Sequence, residues 1–295
     1  MINYTYRAFD LRIASQIELP ELRPQSIDQA DFYIKFGAVP ADLANPSSIS
    51  HFFQRNRSQF RLDIPQIAAF WVENGRTIIV EPHTDQIDLV RALLLDTVMV
   101  ALLYQRDLCV LHASCIDTPN GAVILANTRG GNGCSTLAAA LRLRGYPLAA
   151  DIFTAVNVPQ STPPLALPAY PFQLLWRDSL KQLGIPVKDS PALTLVRAAL
   201  KKYVVRLGDD FIGTARPIWR IYILQADMRL EIAPVSGLQK LSQLERLLYH
   251  GPFQEANQAR ALVALGQSAQ TFTLHHPLSW DLSALVAAFE AHLNA

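Results

Sequence analysis

The sequence predicts an α/β protein with a β-rich N-terminal part, and two observations carry that expectation. Gly121 to Asp151, GAVILANTRGGNGCSTLAAALRLRGYPLAAD, reads as a buried strand, a glycine-rich turn, an amphipathic helix and a second strand ending at an acid. In that layout backbone N–H groups and a helix N-terminus hold anionic oxygens, as in a phosphate-binding P-loop. Residues 1–85 instead supply short runs of alternating apolar and polar residues, among them YRAFDLRIAS, DFYIKFGAV, QFRLDI, AAFWVENG and RTIIVEP. Pro, Gly and Asn separate these runs, as between strands. The chain therefore divides into a β-rich subdomain over 1–85 and a P-loop α/β domain over 86–295.

The bulk properties exclude several classes of function. A chain of 295 residues, 50% hydrophobic and 17% charged, is long enough for a sizeable core and falls in the globular range. Its net charge of +1 gives no reason to expect nucleic acid or an anionic membrane as the main partner. Cys109, Cys115 and Cys134 lack zinc spacing, and an odd number argues against a disulfide framework. A reducing cytoplasm suits them. The opening MINYTYRAFDLRIAS has no basic stretch followed by an apolar run, so no signal peptide is expected. Leu93 to Tyr104 is interrupted by Asp96 and falls short of the roughly 20 residues a bilayer requires.

Taken in order, Asn74-Gly75 between WV and TIIV predicts a hairpin. Ile87, Val90, Leu93, Leu94, Thr97, Val98, Ala101 and Leu102 form one stripe, so a single helix is expected over 86–106, packed against the P-loop sheet. LCVLHASC (108–115) reads as a strand, 117–121 as a turn, and Ala122 to Ala126 as the strand entering the loop. A helix follows over 135–144, with Gly145 as its stop. The prolines of PQSTPPLALPAY (159–170) predict a long loop, the kind that often covers a site. Later elements are a helix over 174–183 carrying Trp176, a helix-to-strand stretch over 193–206 and a strand over 219–224. Helices over 237–248 and 254–265, a strand over 272–274 and a helix over 282–293 complete the chain.

The P-loop pattern is G-x-x-x-x-G-K-[ST]. Aligned on Gly133 and Ser135, this chain gives Thr128-Arg129-Gly130-Gly131-Asn132-Gly133-Cys134-Ser135. The last glycine and the hydroxyl are kept; Thr128 replaces the first glycine and Cys134 the lysine. Gly130, Gly131 and Gly133 still allow positive φ and close approach to a phosphate. Arg129, Asn132 and Thr136 complete the candidate nucleotide-binding stretch. Ser135 opens a helix, where its hydroxyl suits Mg²⁺ and the dipole favours an anion. An ordinary strand-to-helix turn that uses glycines for geometry is the alternative. His51 and His83 read as exposed loop histidines, and His275-His276 has no metal-ligand spacing.

LHAS (Leu111–Ser114), the loop ending in STLAAAL and the RGYPLAAD that follows resemble the catalytic domain of the HPr kinase/phosphorylase family and its serine-kinase relatives. IELPEL (Ile17–Leu22), LLWRDSL (Leu174–Leu180) and KKYVV (Lys201–Val205) resemble relatives encoded with peptide-modification systems. The resemblance implies an HPr-kinase-like P-loop fold, with ATP and Mg²⁺ as cofactors, a peptide or small-protein substrate or partner, and a homo-oligomer. Residue by residue, it implies Gly130 to Gly133 as the phosphate cradle, Ser135 as metal holder and Asp151 as catalytic or metal-organising acid. It also implies His112 near the γ-phosphate. Two departures bear on activity. The family has two adjacent acids where this chain has Asp151 and Ile152, and its lysine is here Cys134.

A hydrogen bond to a charged group contributes on the order of 1.5–3 kcal/mol. Phosphoryl transfer depends almost wholly on positioning and charge stabilisation, so losing the lysine costs more in rate than in binding. A thiol is neutral at its unperturbed pKa of about 8.5, and a thiolate formed at the helix N-terminus would repel phosphate. Arg129 is the nearest substitute cation; Lys201, Lys202 and Arg206 are either further phosphate contacts or a solvated face. The sequence leaves three readings open: a serine kinase with weakened ATP use, a pseudokinase serving as a peptide-binding or scaffolding subunit, and an enzyme using the same crevice for other chemistry.

Overall fold

The computed structural model describes residues 2–128, 131, 133–160, 162–187, 192–195, 200–249, 256–277 and 281–295, with backbone alone at 192–195, 200–201 and 256–257. The chain is mixed α/β with a β-rich N-terminal region and forms two compact units. One comprises Met1–Leu108 together with Ala192–Lys202; the other comprises Cys109–Pro191, Tyr203–Tyr249 and Glu255–Ala295.

The first unit holds β1 (Tyr4–Ala8), β2 (Leu11–Ser15), β3 (Phe32–Phe36), β4 (Ser48–Ile49), β5 (Phe53–Arg55), β6 (Gln59–Ile64), β7 (Ala68–Glu73) and β8 (Thr77–Pro82), in the sheet order β1-β2-β3-β8-β7-β6-β5-β4. The predicted hairpin is β7–β8, with Asn74 at φ 54° and Gly75 at φ 60°. Two positive φ values are what a two-residue turn of matching twist requires. Phe9 (φ 54°) and Asp10 (φ 60°) make the same kind of turn between β1 and β2, so YRAFDLRIAS is two strands rather than one run. Phe-Asp lacks the Asn-Gly signature that would have announced it.

The helix expected over 86–106 is broken. α1 (Ile87–Leu93) and α2 (Met99–Gln105) flank a π-helical segment, Leu94–Val98, in which Asp96 has φ −109° and ψ −105°. The predicted stripe is buried at Val90, Leu94, Val98 and Leu102, and α2 packs against β7. Gly75 N–H donates to Gln105 Oε1 (2.8 Å), Gln105 Nε2 donates to Val72 O (3.2 Å) and Arg106 Nη1 donates to Gly75 O (2.8 Å). Those bonds hold the helix to the β7–β8 hairpin. The first stretch of this compact unit, Met1–Leu108, includes both helices.

The second unit opens with β9 (Cys109–Leu111), β10 (Ala113–Thr118), β11 (Gly121–Asn127), α3 (Cys134–Leu143), β12 (Leu148–Ala150), β13 (Thr154–Asn157) and β14 (Leu165–Ala166). β15 (Phe172–Leu175) and α4 (Arg177–Gln182) follow, then β16 (Ala192–Leu195), which belongs to the first unit, and β17 (Leu200–Arg206), which belongs to the second unit from Tyr203 onward. β18 (Arg216–Ala226), β19 (Glu231–Pro234), α5 (Gly237–Glu245), α6 (Ala256–Ser268), β20 (Gln270–His276) and α7 (Leu282–Leu293) complete it. The main sheet runs β12-β10-β11-β18-β20-β19, with β11–β18 and β18–β20 parallel. The start of β18 pairs with β14, which continues through β13 to β9.

β11 is buried at every position, as a strand covered on both faces must be. It starts at Gly121, φ +129°, where a Cβ would lie 2.6 Å from Pro217 O, so no side chain fits. α3 packs Leu137 and Leu141 into a core shared with Leu125, Tyr222, Phe289 and Leu293.

Three local expectations are corrected. LCVLHASC breaks at His112, whose N–H donates to Leu247 O (2.7 Å), giving β9 and β10 different partners. The start of the helix expected over 174–183 is instead β15, antiparallel to β17, and Trp176 is the N-cap of α4. A short apolar run does not by itself separate a strand from a buried helix. The proline-rich loop contributes the two residues of β14 and buries Leu167, Ala169 and Tyr170.

Candidate functional site

β11 ends at Asn127, and α3 begins seven residues later behind Gly133, which sits at φ 82° and ψ 14°. Gly131 is exposed at φ 77°, with nothing within 4 Å of where a Cβ would stand. Both glycines hold conformations L side chains rarely adopt. Among the described residues no side chain caps α3, and its first intrahelical bond runs from Leu137 N–H to Gly133 O (2.8 Å). The N–H groups of Cys134, Ser135 and Thr136 precede that bond, at the positive end of the helix dipole. Arg129, Gly130 and Asn132, also assigned here from sequence, lie outside the described residues.

Cys134 is buried in the hydrophobic core beneath α3. Asn127 Nδ2 donates to its Sγ at 3.2 Å. Burial pushes the thiol up to about 12; the Asn127 bond opposes that shift and the Asp151 charge adds to it. The side chain at the lysine position is therefore a neutral thiol. It neither supplies a cation nor repels phosphate as a thiolate would.

Ser135 is half-buried, and its hydroxyl makes no hydrogen bond to a described residue. Its carbonyl accepts from Gln173 Nε2 (2.8 Å) on β15. Thr136 is buried, with Oγ1 2.9 Å from Ser179 Oγ on α4. Asp151, just past β12, is 3% exposed. Ser114 Oγ donates to its Oδ1 at 2.6 Å, and Leu174 N–H donates to its Oδ2 at 3.2 Å. β15 thus touches both the site acid and the first turn of α3.

Ile152 stands where the second acid would be, with φ +69°. Phe153 N–H donates to Asp151 O across it (2.8 Å), closing a three-residue γ-turn with a positive central φ. A β-branched residue in that region costs about 1–2 kcal/mol. The turn swings the chain away directly after the carboxylate.

His112 is exposed at the β9–β10 break, its ring centroid 6.2 Å from that of Tyr249. Arg206 is exposed on β17, and the Lys201 side chain lies outside the described residues. Among the described residues, no three of His, Cys, Asp and Glu gather as a metal cluster. For phosphates, the described residues offer backbone amides and the helix dipole, with no cation at position 134.

No protein-family model matches the chain, and no curated protein matches it. Among solved structures it is similar to the Hpr(Ser) kinase/phosphatase from Coxiella burnetii. That match is at 9% identity and a TM-score of 0.31, covering 63% of this chain and 99% of the other. The likeness is distant. No helix among the described residues is long and apolar enough to cross a membrane.

Two residues of this neighbourhood escape motif reasoning. Ser114 is part of LHAS, where His112 drew the attention, yet it is Ser114 that touches Asp151. Gln173 carried a signal that passes easily: one amide inside the apolar run PFQLLW.

Proposed function

We propose that the loop between β11 and α3 is the phosphate site of an HPr-kinase-like protein, a peptide or protein serine kinase relative whose use of ATP is weakened or lost. Cys134 carries this reading: its buried, neutral, hydrogen-bonded thiol takes the place of the lysine. The first-turn amides of α3 would bind phosphate oxygens, with Arg129, Gly130, Gly131, Asn132 and Gly133 forming the loop around them. Ser135 and Asp151 would hold Mg²⁺, which when bound supplies charge neutralisation at the phosphates. Asp151 is oriented for that task, or for accepting a proton from an acceptor hydroxyl, by Ser114 and Leu174 N–H. Losing one charged hydrogen bond, about 1.5–3 kcal/mol, weakens nucleotide binding by about one to two powers of ten. The rate suffers more, because the transferring group has no side-chain cation at this position.

A second reading, a pseudokinase that binds or scaffolds a peptide partner in a peptide-modification complex, draws support from Ile152 and its γ-turn. The second acid is missing on the other side of the same site. In either case a homo-oligomer in the cytoplasm is the proposed setting.

Titration calorimetry with Mg-ATP tests the proposal. The native chain should show no micromolar affinity, and Cys134→Lys with Ile152→Asp should raise it. Micromolar binding by the native chain would overturn the reading. Transfer of labelled phosphate from ATP to a serine peptide separates the weakened kinase from the scaffold.

A further inference from the structure

In the first sheet, β3 and β4 are separated by β8, β7, β6 and β5. Residues 37–47, which join them, therefore travel five strand spacings, about 24 Å, across the sheet. They form no helix or strand, and Leu43 is their one buried side chain.

Beneath them runs a row of paired side chains. Strand register sets Ile79 of β8 beside Trp71 of β7, Trp71 beside Arg61 of β6, and Arg61 beside Gln54 of β5. Residues paired in this way share one face of a sheet. A Cβ on Gly37 would lie 3.1 Å from Ile79 Cγ2, so the segment enters at that end of the row. Val39 N–H donates to Glu81 Oε2 (2.6 Å), and Arg61 Nε donates to Pro40 O (2.7 Å). Leu43 N–H donates to Gln54 Oε1 (2.7 Å), and Asn56 Nδ2 donates to Ala44 O (3.3 Å). In each of these four bonds the sheet supplies a side chain and the segment supplies backbone. Trp71, midway along the row, is 7% exposed.

Such contacts are those of a bound peptide. Side chains that hold backbone N–H and C=O groups accept any extended chain, and selection by side chain falls to Leu43. Hydrogen bonds near water contribute little net stability, so the middle of the segment is lightly held. Its ends are fixed, by Gly37 N–H to Val80 O (3.1 Å) and by Ser47 N–H to Arg55 O (2.7 Å). Exchange of the segment between two copies would break those ties, whereas a separate peptide requires only that the middle lift.

We propose that this row is a docking surface for an extended, leucine-bearing peptide of a partner protein. Residues 37–47 are its internal occupant, displaced when the partner binds. The row lies within the first unit, and the inference stands apart from the phosphate-site reading.

A labelled synthetic peptide of residues 36–47, FGAVPADLANPS, tests this on the full chain by fluorescence anisotropy. The native chain should bind it weakly, because its own tethered segment competes at high effective concentration. Leu43→Ala in the chain loosens that segment and should raise the affinity about tenfold. The same peptide with alanine in place of its leucine should bind the variant about tenfold more weakly. No binding to the variant, equal binding to variant and native chain, or equal binding of the two peptides would overturn the inference. A dimer of the variant that the peptide disperses would put a second copy's segment on the row and overturn the separate partner. Should Leu43→Ala not fold, hydrogen exchange of the native chain decides. The amides of Val39 and Leu43 should then exchange at least about a hundredfold faster than those of Trp71 and Ile79, and equal rates would overturn the inference.

Discussion

Replacing Ser114 with alanine and Asp151 with asparagine, singly and together, measures what the buried pair beneath the loop contributes to stability. Ser114 is 1% exposed and Asp151 3% exposed, and the O–H···O bond between them is 2.6 Å long. A bond of that length to a carboxylate, out of water, contributes about 1.5–3 kcal/mol. Ser114→Ala leaves Asp151 with only the Leu174 N–H as a donor among the described residues and should cost about 2 kcal/mol. Asp151→Asn keeps the shape but turns a donor toward one of two existing donors, costing about 2–3 kcal/mol. The double variant loses the shared bond once, so it should cost about 3 kcal/mol, with a coupling of about 1–2 kcal/mol. Urea unfolding midpoints at a common slope give the three values. Additivity to within about 0.5 kcal/mol would refute the bond and, with it, the account of how Asp151 is oriented.

Three further outcomes follow from the same structure. Burial pushes Cys109 and Cys134 up to about 12, and Cys115 upward with the Asp117 charge adding to its burial, so all three thiols should resist alkylation at pH 8 until urea unfolds the chain; a rapid stoichiometric reaction of the native protein would contradict this. His292, whose Nδ1 lies 2.9 Å from Tyr222 Oη, is held below its ordinary 6.5 by burial and then by Arg220. The unfolded chain therefore binds the proton more readily, and stability should fall as pH drops from about 6.5 toward the folded value. His292→Gln should flatten that part of the profile, and identical urea midpoints against pH for both proteins would exclude the effect. Gly121→Ala, with a Cβ 2.6 Å from Pro217 O at φ +129°, should cost more than about 3 kcal/mol, against about 1 kcal/mol for Gly145→Ala, which meets nothing within 4 Å at φ +97°. Equal losses in denaturant would show that the close approach at Gly121 is relieved by movement of the neighbouring chain.

Much of the layout was legible in the sequence because its signals are local. Asn74-Gly75 names its own turn, the run ending at Asn127 is apolar enough to be a buried strand, and α7 has the bounds its stripe predicts. The misses come where a partner distant in sequence decides. Phe172–Leu175 is a strand because Tyr203 to Arg206 lie beside it, and the apolar run alone does not show this. The π-helical kink at Asp96 lies inside a stripe that reads as one helix from its period. At the candidate site, the glycines and Ser135 announce themselves by motif, whereas Ser114 and Gln173 matter only through what they touch. Cys134 is visible as a replacement, but its neutrality depends on the burial that packing supplies.

The parallel pairing of β11 with β18 has a consequence for how the chain reaches its native state. It joins Ala122 to Ile218 and Asn127 to Leu224, so the strand carrying the candidate loop is held by residues nearly a hundred positions later. β18 is in turn flanked by β20, another 50 positions on at Arg220 and Gln270. Contacts that close such long segments form slowly, because the chain entropy is lost before the contact rewards it. The loop and the first turn of α3 thus lack this supporting strand until the chain has been made through Leu224. A chain cut before Arg216 would carry every residue of the glycine motif and still lack the strand that holds it in place.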